Sequence, residues 1–145
     1  MNMKKCLFMI ALCVGFVACS NDKSKKDEKK VDVKKNVVEV LYFHSSQRCA
    51  TCMAIEESSK ELIEREFVEQ LQKGDLVFQS IDLTQNEALA NKYEVAWSSL
   101  ILVDYDANSK ESVKNLTDFA FANALRNSEG FKKGLHQEIV KMLNN

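Results

Sequence analysis

The amino-acid sequence predicts an α/β domain in which a central mixed sheet is flanked by helices, in the order β-α-β-α-β-β-α. Three observations carry this. Apolar runs of strand length alternate with stretches whose apolar residues recur at helical spacing. A strand, a long helix and a second strand in succession favour parallel pairing, because the helix supplies the crossover. A turn sequence, Asp106-Ala107-Asn108-Ser109, separates two late strand-like runs and adds an antiparallel hairpin at the sheet edge.

Val37-Val38-Glu39-Val40-Leu41-Tyr42-Phe43 is β-branched, aromatic and mostly apolar on both faces, as suits a central strand covered on both sides. From Cys49 to Gln72 the period lengthens. Ile55, Leu62, Ile63, Phe67 and Leu71 form an apolar stripe, with Glu56, Glu57, Lys60, Glu61, Glu64 and Arg65 on the wet face. Lys73-Gly74-Asp75 ends this helix, Gly74 serving as a left-handed cap. Leu76 to Asp82 is the second strand. Thr84-Gln85-Asn86-Glu87 has the form of a capping box opening a short helix to Tyr93. Leu100 to Val103 is a third buried strand and Glu111 to Leu116 its hairpin partner. Thr117-Asp118 starts the last helical stretch, with Phe131, Leu135, Ile139 and Met142 on its apolar face. Gly130 and Gly134 weaken that stretch, so a break is expected near Ser128.

The segment before this domain reads as an address and a spacer. Lys4 and Lys5 precede an apolar stretch from Leu7 to Val17, too short to span a bilayer comfortably, and Ala18 is a small residue of the cleavage-site type. Phe16-Val17-Ala18-Cys19 resembles a bacterial lipobox, with Phe16 where most carry Leu. The resemblance implies a signal peptide over residues 1–18 and lipidation of Cys19. Ordinary secretory cleavage near Ala18, leaving Cys19 as a spare thiol, is the other reading. Residues 19–36 form a Lys-rich linker with almost nothing to bury.

Charge divides along the same boundary. Of 20 basic residues, two lie in the leader and seven in the linker; of 21 acidic ones, four lie in the linker. Residues 37–145 therefore carry a formal net charge of −6. An acidic domain on a basic tether argues against nucleic-acid binding, which needs a basic face on the domain itself. The expected place is the bacterial cell envelope, lipid-anchored and facing the periplasm or lying in the outer membrane.

The chemistry is expected at Cys49-Ala50-Thr51-Cys52, where the first strand gives way to the first helix. Cys6 and Cys13 belong to the leader and Cys19 to the lipid, so Cys49 and Cys52 are the two thiols of the domain. At a helix start, free amides and the helix dipole stabilise an anion, which makes Cys49 the expected nucleophile with a lowered thiol pKa. Arg48 adds positive charge beside it. Cys52, three residues on along the same face, is the resolving thiol. A structural disulfide closing so short a loop stabilises little. No second Cys pair completes a zinc site, and His44 and His136 have no ligand spacing. His44 is either a strand-end residue satisfied by hydrogen bonds or a neighbour that tunes the thiols.

The element order, with the Cys pair at the first strand-helix junction, is similar to that of the thioredoxins over nearly all of residues 37–145. The resemblance implies reversible thiol–disulfide exchange with protein thiols or disulfides, a redox-active disulfide in place of a cofactor, and a membrane electron donor or acceptor as partner. Thioredoxins also place a cis proline before the third strand, facing the Cys pair. This chain has no proline, and in the loop Tyr93 to Leu100 the nearest residue to that position is Ser98. A cis bond there would cost about 3 kcal/mol, so a trans peptide or a rearranged loop is expected. The acid that many thioredoxins bury beneath the thiols is replaced by Tyr42 and Phe43. Trp97 either packs its own loop, which the sequence favours, or offers a platform to substrate; Ser98 and Ser99 complete the neighbourhood.

Tyr42-Phe43-His44-Ser45-Ser46-Gln47-Arg48-Cys49-Ala50-Thr51-Cys52, with Ile55-Glu56 and Trp97-Ser98-Ser99-Leu100, also resembles the thioredoxin-like lipoprotein family of Bacteroidetes named ArsF, labelled a nitrophenyl-compound nitroreductase subunit. That resemblance implies an accessory role in arsenic resistance or redox loci; no flavin-binding signature supports nitroreduction. Loss of the proline is expected to uncover both thiols. Two open functions follow. One is disulfide exchange. The other is non-catalytic binding or relay of a soft metal or metalloid such as arsenite by Cys49 and Cys52. A protein-interaction module without chemistry is a third, weaker option.

Overall fold

The computed structural model describes residues 37–106 and 109–145. The signal peptide, Cys19 and the linker lie outside the described residues, as do Ala107 and Asn108 of the hairpin turn.

Four strands, β1 (Val38–His44), β2 (Leu76–Asp82), β3 (Ser99–Tyr105) and β4 (Glu111–Asn115), form one mixed sheet in the order β2-β1-β3-β4. β1 is parallel to β2 and antiparallel to β3, and β3 is antiparallel to β4. The expected crossover and hairpin are both present, and the fold is α/β, a mixed four-strand sheet flanked by helices.

The helices are α1 (Ala50–Glu66), α2 (Val68–Lys73), α3 (Glu87–Lys92), α4 (Thr117–Asn123) and α5 (Ser128–Leu143). Alternation along β1 sorts the core into two layers. Val38, Val40 and Tyr42 face Ile55, Leu62 and Ile63 of α1 and Phe131, Leu135 and Ile139 of α5. Leu41 and Phe43 turn the other way, to Ile81, Ile101 and Val103, with Leu89 and Tyr93 closing that side. Each fully buried side chain of this size contributes about 1.5–3 kcal/mol.

Three local expectations are corrected. The helix expected from Cys49 to Gln72 breaks at Phe67, whose backbone leaves helical geometry (φ −121°, ψ 31°) while its ring buries against His136, centroids 5.0 Å apart. Thr84 does not cap α3: the Asp82 carboxylate accepts both its N–H at 2.8 Å and its hydroxyl at 2.7 Å, and Asn86 holds the cap position. Gly134 does more than weaken its helix. A Cβ there would stand 2.3 Å from the Phe119 ring, so its missing side chain lets α4 and α5 approach. Gly74 is the left-handed cap expected, at φ 73°, and the chain breaks before Ser128.

Candidate active site

The register of the sheet assembles the site. Phe43 on β1 pairs with Ser99 on β3, so the loop entering β3 stands beside the loop leaving β1. The first loop carries Trp97 and Ser98; the second carries Arg48 and Cys49.

Cys49 is the N-cap of α1, with extended backbone (φ −82°, ψ 166°). Its Sγ accepts the Cys52 amide at 3.2 Å, the role that a Ser or Asp oxygen ordinarily plays at a cap. The 17-residue helix behind it directs its free N–H groups toward this sulfur. Cys49 is exposed, Cys52 is buried at 6% exposure, and both are free thiols.

Beneath the motif, the Tyr42 hydroxyl donates to the Cys52 carbonyl at 2.8 Å. Burial, with the negative charges of a Cys52 thiolate and of Glu56, pushes the Tyr42 phenol far above its ordinary value, so it remains a donor. From the facing loop, the Ser98 hydroxyl lies 3.8 Å from Cys52 Sγ. Burial pushes the Cys52 thiol up. Hydrogen bonds with Cys49, Ser98 and Tyr42 outweigh that push and hold Cys52 below the ordinary thiol range.

The expected uncovering of both thiols does not occur. Ser98 is itself buried and covers Cys52, so a single sulfur faces outward. The soft-ion reading presupposed two open thiolates. Among the described residues, no group of three or more His, Cys, Asp or Glu side chains could hold a metal ion.

Arg48 pairs with Glu56 of α1, so its charge is largely cancelled beside Cys49. His44 has its Nδ1 3.1 Å from the Ser45 carbonyl, and its ring packs beside Tyr42 at 6.1 Å. His136 sits on α5 near Glu66, Nε2 to carboxylate 3.6 Å, remote from the motif in the fold. Trp97 is 69% exposed, which overturns the loop-packing expectation. A groove of about 410 Å³ lies between the loop bearing Glu94 and Trp97 and the start of α4 at Thr117 and Asp118. Ser99 is buried, and its hydroxyl holds the Trp97 carbonyl. The residue that sequence reasoning missed is Tyr42, treated there as filling the place of a buried acid. Its signal was the two-residue period of β1, which puts it on the α1 face.

No family model and no curated protein matches this chain. Among solved structures, the chain is similar to a thioredoxin from Fasciola hepatica, with 23% identity, 74% of this chain and 83% of that one covered, and a TM-score of 0.47. A thioredoxin from Thermus thermophilus matches at 20% identity, covering 73% and 76% of the two chains, TM-score 0.45. An uncharacterised thioredoxin-like protein from Clostridium perfringens matches at 15% identity, covering 79% and 90%, TM-score 0.41. These are likenesses in the course of the chain, and the chemistry rests on the residues of the site.

Proposed function

We propose that this protein is a thiol–disulfide oxidoreductase that works through Cys49 and Cys52. One observation carries the reading: an exposed sulfur at a helix N-terminus accepts the amide of a second cysteine whose own sulfur is buried directly behind it. The outer sulfur can meet a protein disulfide, whereas the inner one can meet only Cys49. The Cys49 thiolate attacks the partner disulfide, forming a mixed disulfide and releasing one partner thiolate. Cys52 then attacks Cys49, closing the Cys49–Cys52 disulfide and releasing the second. Two electrons pass from the pair to the partner, and the opposite sequence donates a disulfide.

The same proposal places the protein on the bacterial envelope through lipid at Cys19, with the Lys-rich linker as spacer and a membrane electron carrier as redox partner. The lipobox-like run Phe16 to Cys19 supports the tether. Kinship with the ArsF family belongs to the proposal too, supported by the runs Tyr42–Cys52 and Trp97–Leu100. Turnover of a protein disulfide such as insulin, with dithiothreitol as reductant, tests the chemistry. Wild type should turn over and Cys49→Ser should not. An inactive wild type with an unreactive Cys49 overturns the reading.

A further inference from the structure

We propose that Ser98 and Tyr42 are positioning residues for the resolving step: the Ser98 hydroxyl stands against the Cys52 sulfur, and the Tyr42 hydroxyl fixes the backbone that carries it, while Cys49 is tied to a partner's sulfur. The inference rests on the exchange reading above and deepens it.

In the free dithiol the Cys52 thiol donates to the Ser98 hydroxyl oxygen at 3.8 Å, and the Cys49 sulfur accepts the Cys52 amide at 3.2 Å. In a mixed disulfide Cys49 carries no proton and has none to offer Cys52. Cys52 must ionise at that moment, buried at 6% exposure, where an unassisted thiolate is disfavoured. Once Cys52 loses its proton, the Ser98 hydroxyl can turn its own hydrogen to the sulfur it had accepted from.

Neighbouring charges do not take its place. From the loop and α1, Arg48 and Glu56 pair with each other. From β1, His44 is engaged with the Ser45 carbonyl, and Tyr42 keeps its proton. The loop before β3 presents Ser98, which does not titrate. Ser98 is buried against the sulfur, and Tyr42, fully buried, spends its one hydroxyl proton on the Cys52 carbonyl at 2.8 Å and so fixes the turn that carries Cys52.

The step balances without another reactant. The Cys52 thiol gives its proton to water, and the thiolate attacks Cys49 Sγ. A Cys49–Cys52 bond forms as the bond from Cys49 to the partner sulfur breaks. That sulfur leaves with the electron pair as a thiolate and takes a proton from water.

The test uses the full chain with Cys6, Cys13 and Cys19 changed to Ser in every sample, reduced and mixed with one equivalent of an aromatic disulfide whose leaving thiolate is coloured. A first phase reports capture of Cys49, and a second reports closure by Cys52. Ser98→Ala should slow the second phase about tenfold at neutral pH and move its pH midpoint up by about one unit, as loss of a hydrogen bond to a charged group requires. The first phase should stay within about twofold, since Cys49 keeps its amide donor. Tyr42→Phe, which frees the Cys52 turn, should slow the second phase, and Ser98→Thr should restore the wild-type midpoint. A second-phase midpoint unmoved in Ser98→Ala, with a normal first phase, overturns this inference and leaves the exchange reading standing. A wild type with no first phase overturns both.

Discussion

The Ser99 hydroxyl donates to the Trp97 carbonyl at 2.9 Å, and the backbone it fixes leaves the indole 69% exposed beside the buried Ser98. An aromatic ring of that size left in water contributes little to the core, but it offers a large rigid surface to a docked chain.

Trp97→Ala should therefore change stability by no more than about 0.5 kcal/mol. Under the exchange reading, kcat/KM for a protein disulfide should fall about tenfold, a loss of about 1.4 kcal/mol of binding. The rate with a small aromatic disulfide should hold. Equal losses on both substrates would show that the indole acts on the thiols rather than on the partner.

The Arg48–Glu56 ion pair keeps a cation next to Cys49 but largely neutralised. Glu56→Gln releases that charge. Alkylation of Cys49 by iodoacetamide at neutral pH should quicken by about two- to threefold at low salt, with the gain shrinking as salt screens it. A salt-independent change would point to altered helix packing instead.

Gly134 meets the Phe119 ring, which itself stacks on Phe131 with centroids 5.9 Å apart. Gly134→Ala improves helix propensity by about 1 kcal/mol, while the overpacking it causes costs about 1–3 kcal/mol. The net expectation is destabilisation in urea melts. Adding Phe119→Leu should recover part of it, and a stabilised single variant would contradict the close approach.

Burial pushes the Glu39 carboxyl up, an effect partly offset by the Tyr105 hydroxyl at 3.4 Å and by Lys92. An acid with a raised folded pKa binds more protons folded than unfolded. Stability then falls as pH climbs through the folded value and is relieved below the unfolded one. Glu39→Gln should raise stability at neutral pH by about 0.5 kcal/mol, discounted for partial exposure, with the gain vanishing below about pH 4. An equal gain at both pH values would assign it to packing.

What could be read from the sequence was what local pattern determines. β2 runs from Leu76 to Asp82 as its alternation and flanking turns require, and Cys49 caps α1 because the strand-like run ends before it. Phe67 was harder, since the helical period continues through it to Leu71, and only packing against His136 on α5 turns it aside. Thr84 satisfied a capping pattern, yet Asp82 competed for the same donors. The covering of Cys52 by Ser98 was out of reach. It depends on the Phe43–Ser99 pairing between strands more than fifty residues apart in sequence.

The position of β1 has a consequence for the hierarchy of opening motions. The strand is hydrogen-bonded along both edges, to β2 and to β3, whereas β2 and β4 are outermost. Amides of β1 should accordingly exchange with deuterium among the slowest in the domain, opening only when the sheet itself comes apart. Tyr42 is on that strand and grips the first turn of α1. Fraying of the outer strands or of α4 would thus leave the sulfur pair seated on its most durable support.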